Sequence, residues 1–207
     1  MARPKDQERR RGELVAAAGK LAARKGMRDV RLRDVAEATG LTSGAVLYYF
    51  DGLDELFFAA YERAVERFCV ERERVVAEIA DPPRALATAL HLGVPTGPDD
   101  VEIRLLYEFE AVAFRSPACA DLMASYVERQ VQMYARILAC DEFPQLRGDP
   151  RGVARNLVAL EDGHGVYVLT GQVTPQEVQR LLLEQAAAVT GVPLKRLVPV
   201  RAARAAA

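Results

Sequence analysis

The stretch "VRLRDVAEATGLTSGAVLYYF", residues 30–50, decides how this chain is read. Leu32, Val35, Ala36 and Thr39 recur at helical spacing and stop at Gly40, after which Thr42 or Ser43 caps a second short helix running to Tyr48. A helix-turn-helix needs a small residue where its helices touch, a glycine at the turn and apolar residues to hold the angle. Ala36, Gly40, Leu41 and Val46 supply these. The second helix must then offer small or polar side chains to base edges and donors to phosphates, and Thr42, Ser43, Gly44, Ala45, Tyr48 and Tyr49 suit that surface. Adjacent side chains on a helix point about 100° apart, so Tyr48 and Tyr49 cannot both face one core. At least one phenol is left for DNA.

Charge separates this region from the rest. Residues 1–50 hold eleven Lys and Arg against six Asp and Glu, a net +5, whereas the whole chain carries −1, which leaves −6 for residues 51–207. A basic head on an acidic body fits a polyanion-binding module joined to a dimerising or ligand-binding one. The 207 residues are half hydrophobic and rich in Ala, Leu, Arg and Glu, a composition that predicts an all-α fold. No apolar run nears the roughly 18 residues that cross a bilayer, so a cytoplasmic protein without a membrane partner is expected. Cys69, Cys119 and Cys140 form no CxxC, which argues against a disulfide framework or a thiolate metal site.

Helical periodicity predicts nine helices. The first covers residues 6–25 and stops at Gly26, and the two short helices described above follow it. A long helix over 52–80, capped by Asp51, carries Leu53, Leu56, Phe57, Tyr61, Ala64, Val65 and Phe68 on one stripe. A short helix from Pro82 and a central one over 99–115, apolar on nearly every side, come next. Ser116-Pro117, Asp149-Pro150 and Thr174-Pro175 open the last three, which end near Cys140, Thr170 and Gly191. The division expected is a DNA-binding domain at 1–52, a ligand-binding and dimerisation domain at 53–191, and a frayed tail at 192–207.

Helix, turn, helix and the aromatic end YYF, through Asp54-Glu55-Leu56, resemble the N-terminal domain of TetR-family transcriptional repressors. The resemblance implies a nine- or ten-helix all-α homodimer whose recognition helix is residues 42–48. It also implies that Lys5, Arg33, Thr42, Ser43, Gly44, Ala45, Leu47, Tyr48 and Tyr49 reach an inverted-repeat operator of double-stranded DNA. Two departures stand out. Leu47 precedes Tyr48 where members often have Tyr followed by an aromatic or basic residue, shifting that phosphate contact by one position. Leu53 stands where a lysine is usual, a loss that Arg31, Arg33 or the arm with Arg3 and Lys5 would offset.

Two histidines, His91 and His164, and the absence of HExxH, GxSxG, P-loop or glycine-rich nucleotide motifs leave no basis for an enzyme, a cofactor or a metal site. Glu161 and His164 have the spacing of a carboxylate–imidazole pair, read as structural, and Gly163 and Gly165 suggest close helix packing. The resemblance places a small-molecule inducer among the helices after the long one, with Tyr107, Glu110, Phe114, Met123, Tyr126, Gln130, Tyr134 and His91 as candidates; core packing reads equally well for each singly. It places the dimer interface on the last two helices, near Leu157, Leu160, His164, Tyr167, Val168, Val178, Leu181, Leu182 and Ala186. Glu108 reads as a surface pair with Arg104, whereas Glu110 has no basic residue at i±3 or i±4. The expected function is a ligand-responsive homodimeric repressor. The alternatives are a thiol-based redox sensor using Cys119 or Cys140, and an α-helical small-molecule carrier with an incidental basic head.

Overall fold

The computed structural model describes residues 4–143 and 145–200, with side chains described from Asp6 onward. Every regular element among them is helical: α1 (Pro4–Lys25), α2 (Leu32–Thr39), α3 (Ser43–Leu47), α4 (Leu53–Ala77), α5 (Pro82–Gly93), α6 (Val101–Glu108), α7 (Glu110–Ala113), α8 (Pro117–Leu138), α9 (Pro150–Leu169) and α10 (Pro175–Thr190). Single 3₁₀ turns occupy Met27–Asp29 and Leu194–Arg196. The all-α expectation holds. The helix expected over 99–115 is interrupted at Phe109, and with α6 and α7 counted as one broken helix the described residues hold nine.

The boundaries follow local chemistry. Asp81, Asp149 and Thr174 each stand before a proline and accept the backbone N–H of Arg84, Gly152 and Glu177 respectively, satisfying donors that a helix start leaves open. Asp51 does not cap α4 as expected. Its own N–H is instead accepted by the Glu55 carboxylate at 2.7 Å, and α4 begins two residues later at Leu53.

Two compact units emerge, Met1–Glu66 with Val101–Leu122, and Arg67–Asp100 with Met123–Ala207. The chain thus does not divide at residue 52: α4 gives residues to both units, and α6 joins the first because it packs on α1. Within the first unit Leu14, Ala18 and Ala22 of α1 are fully buried, along with Val35, Val46 and Leu56. Gly19 lets α6 come close, since a Cβ there would lie 3.0 Å from Leu105 Cδ2. Tyr61 stacks on Phe109 with ring centroids 4.4 Å apart. Glu108, read from sequence as a surface residue, accepts the Met27 N–H at 3.2 Å and ties α6 to the turn after α1.

The second unit is built on Leu86, Leu90, Val131, Tyr134, Leu138, Leu157, Val168, Val178, Leu182 and Ala186, with α10 packed on α9 and α5. The tail expected to fray is ordered through residue 200. Val192 and Leu197 are buried, Arg196 reaches Asp81 and Glu142, and Thr88 Oγ1 accepts the Val200 N–H at 2.9 Å. Two apolar anchors and a basic side chain facing carboxylates hold it, and neither signal is periodic. Gly163 faces open space, so the close packing expected there is not made within this chain.

Candidate nucleic-acid interface and the centre of the second unit

The turn between α2 and α3 is fixed by backbone chemistry. Gly40 adopts φ 66°, a left-handed conformation, while the Leu41 N–H bonds the Ala36 carbonyl at 2.9 Å and closes α2. Thr42 caps α3 by accepting the Ala45 N–H at 3.2 Å. Val46 and Phe50 turn into the core, and this orientation sends the opposite face outward. Arg33, Thr42, Gly44, Leu47 and Tyr48 are exposed, and Ser43, Ala45 and Tyr49 are half-buried, so each of these predicted DNA-facing residues keeps surface. The side chain of Lys5, and Arg3, lie outside the described residues.

The paired tyrosines divide their roles. Tyr48 is 71% exposed, and its ring meets that of Tyr49 edge-on with centroids 5.1 Å apart. Gln7 of α1 donates to the Tyr48 hydroxyl at 3.2 Å, steering the phenol while leaving its own O–H to donate. Gln7, Glu8, Arg11, Tyr48 and Tyr49 line an open groove of about 410 Å³. Arg11 is committed to the fold: it donates to the Tyr49 carbonyl at 2.5 Å, pairs with Glu55 at 2.9 Å and lies 4.0 Å over the Phe50 ring. The Asp51 N–H and then Arg11 hold the Glu55 carboxyl below the usual range. Arg9 and Arg10 pair with Glu13. Arg33, by contrast, makes no ion pair among the described residues, and its charge is available to a phosphate.

The predicted ligand residues are shared between the two units. Tyr107, Glu110 and Phe114 belong to the first unit and Met123, Tyr126, Gln130 and Tyr134 to the second. Phe114 is 87% exposed, at the end of the single turn of α7, which has no buried residue. Glu110 is half-buried, and burial pushes its carboxyl above the usual range. His91 is half-buried on α5.

Gln130 and Tyr134 are buried and meet in a network that sequence reading missed. Arg72 of α4 and Glu161 of α9, only 2% and 3% exposed, pair at 2.5 Å. The Tyr134 hydroxyl accepts from Arg72 Nη2 and donates to Glu161 Oε1, each at 2.6 Å. Arg72 also donates to the Ala89 carbonyl and to Gln130 Oε1. Its guanidinium lies 5.5 Å from the Phe68 ring centre and 5.3 Å from that of Tyr134. Burial works most strongly against the Arg72 charge, but Glu161, Tyr134 and Tyr126 together outweigh it and raise the pKa. Burial likewise pushes the Tyr126 and Tyr134 phenols well up. The partner of Glu161 is therefore Arg72, not the expected His164, whose ring instead lies 6.3 Å from that of Tyr167. One signal was present: Val65, Phe68, Arg72 and Val76 follow helical spacing, so Arg72 interrupts an apolar stripe.

The expected dimer residues also separate. Leu157, Val168, Val178, Leu182 and Ala186 are at most 1% exposed within this chain's own core and have no surface left for a partner. Leu160, His164, Tyr167 and Leu181 keep surface, and Val166 beside them is 40% exposed. The helix-packing stripe and the outer face were not separable by spacing, because both are apolar. Cys69 and Cys119 are buried and Cys140 is partly exposed, and no group of metal-ligating side chains occurs among the described residues. No described helix is long and apolar enough to cross a membrane.

Residues 14–60 match the model of the family described as "Bacterial regulatory proteins, tetR family". The chain is 29% identical over 161 residues to the HTH-type transcriptional regulator BetI of Stenotrophomonas maltophilia (strain R551-3), covering 74% of this chain and 78% of that one. Its fold matches that of a transcriptional regulator from Saccharomonospora viridis in complex with choline, with a TM-score of 0.79 and 24% identity over 86% of this chain and 95% of that one. It also matches the multidrug binding protein EbrR complexed with ethidium, with a TM-score of 0.62 and 29% identity over 85% of this chain and 98% of that one. Residues 14–60 thus carry a tetR-family DNA-binding domain, and most of the chain shares the fold of solved transcriptional regulators.

Proposed function

We propose that this chain is a homodimeric, ligand-responsive repressor of the cytoplasm that a small molecule releases from an inverted-repeat operator. The observation that carries the reading is the outward face of α3, where exposed small and hydroxyl residues lead to a Tyr48 phenol steered by Gln7. Such a surface lets a backbone approach base edges while phenol and Arg33 meet phosphates. The partly exposed Leu160, Tyr167 and Leu181, with Val166, supply an apolar outer face for a second copy. Two solved neighbours hold choline and ethidium, both organic cations, and this supports the same ligand class here. α4 gives residues to both units and is the route by which ligand binding would alter the spacing of two recognition helices, to which a palindromic site is sensitive.

Selection of binding sites from random DNA tests this. An inverted repeat is expected, bound by two copies, with affinity falling steeply as salt rises because the contacts are largely to phosphates. Full-affinity binding of an asymmetric half-site by one copy, or no DNA binding at low salt, would overturn the reading.

A further inference from the structure

A second-unit cluster has the chemistry of a cation receptor that is already occupied. The Arg72 guanidinium lies 5.5 Å from the centre of the Phe68 ring, 5.3 Å from that of Tyr134 and against the Glu161 carboxylate, with the Tyr126 and Phe68 ring centres 5.9 Å apart. Aromatic faces beside a carboxylate attract organic cations by ring quadrupole and charge together. We propose that Glu161, flanked by Phe68 and Tyr134, is a receptor for small organic cations whose seat is held in the unliganded chain by Arg72, and that a ligand binds by displacing that guanidinium. This deepens the ligand-responsive reading above and rests on it for its regulatory meaning.

The geometry says which partner leaves. Glu161 has the shorter stem, accepts the Tyr134 hydroxyl, and is seated on Gly93, where a Cβ would overlap its carboxylate and lie 2.6 Å from Arg72 Nη2. Arg72 reaches the seat on a longer, more flexible stem from α4 and regains hydration when it swings out. Exchange of one cation for another keeps the buried carboxylate compensated. A neutral ligand would strand it, at the cost that follows removal of one partner from a buried pair. Displacement also frees the Ala89 carbonyl and Gln130 Oε1, which then need a donor. Gln130 Nε2 is buried with no hydrogen-bond partner and offers a donor of its own. A hydroxyl can answer both needs, so the class favoured is a small cation bearing a hydroxyl group.

The test uses the full chain without DNA, with choline as probe, its neutral isostere in which tert-butyl replaces trimethylammonium, and tert-butylacetate as the anion. Thermal melting and calorimetric titration are read for the wild type, Arg72→Met, and Arg72→Met combined with Glu161→Gln. Choline is expected to raise the wild-type melting temperature while the other two do not. Arg72→Met should bind choline about tenfold more tightly or better, because a seat vacant less than about a tenth of the time reduces apparent affinity by that fraction. Adding Glu161→Gln should abolish the binding. Equal stabilisation by the neutral isostere or the anion overturns the proposal, as does choline binding no tighter in Arg72→Met than in the wild type. Should Arg72→Met not fold, the three probes on the wild type decide alone, and no choline-dependent rise overturns it. DNA retardation by the same wild-type preparation keeps the two readings apart: DNA binding without choline binding sinks only this inference, and choline binding without DNA binding sinks the repressor reading.

Discussion

Replacing Glu161 with Gln is the most informative single perturbation, because it removes one charge from a pair that water barely reaches and nearly preserves shape. Arg72 would remain buried, with side chains 2% and 3% exposed at the two positions. Removing one partner of such a pair costs about 3–5 kcal/mol, chiefly because the remaining charge is stranded. For a chain of this length that corresponds to a fall in melting temperature of about 6–20 °C. Arg72→Met should fall in the same range, since it strands Glu161 and removes donors from the Ala89 carbonyl and Gln130. The double variant should lose only the neutral hydrogen bonds, at about 1–3 kcal/mol for each group left unsatisfied. Its cost should therefore resemble that of either single change and fall short of their sum by about 3 kcal/mol or more. Urea and thermal denaturation at one fixed protein concentration measure this, because the stability of an associating protein depends on concentration. Strict additivity, or a cost below about 1 kcal/mol for Glu161→Gln, would refute the account of a desolvated, mutually dependent pair.

Tyr48→Phe should weaken operator binding about two- to tenfold with an unchanged melting temperature, as expected for a hydrogen bond of about 0.5–1.5 kcal/mol, and a binding titration at several salt concentrations checks it. Gly40→Ala should cost about 1–2 kcal/mol in denaturant unfolding from the left-handed backbone alone, because a Cβ there meets nothing within 4 Å. Glu110→Gln should melt above the wild type at neutral pH. The Glu110 carboxyl titrates higher in the folded state, so folding favours its protonated form, and that advantage is full below the unfolded value of about 4.3 and lost as pH rises through the folded value. Melting curves at pH values on either side of this window should therefore converge on the acid side.

The helix-turn-helix was legible because its determinants are local. Gly40, Thr42 and the apolar positions Val35, Ala36 and Val46 act within a few residues, and the structure places each where spacing put it. The helix starts at Pro117, Pro150 and Pro175 were legible for the same reason. Elements fixed by distant contacts were not. The break at Phe109, the ordered tail at Val192 and Leu197, and the recruitment of α6 to α1 depend on partners tens of residues away. The apolar faces of α9 and α10 showed which residues avoid water, but periodicity carries no mark that separates a chain's own core from surface offered to another copy.

Two carboxylates show the same limit in electrostatic terms. Glu110 drew notice because no base lies one turn away on its own helix, a test that sees only neighbours in sequence. The structure leaves it half-buried, with burial alone raising its pKa. Glu161 is the carboxylate that is buried, and its charge is met by Arg72, 89 residues earlier in the chain. A charge on an apolar stripe is costly unless compensated, so two such interruptions on different helices imply one another. Read in that way, Arg72 among Val65, Phe68 and Val76 and Glu161 among Leu157, Val158 and Val168 form a complementary pair that spacing on either helix alone could not reveal.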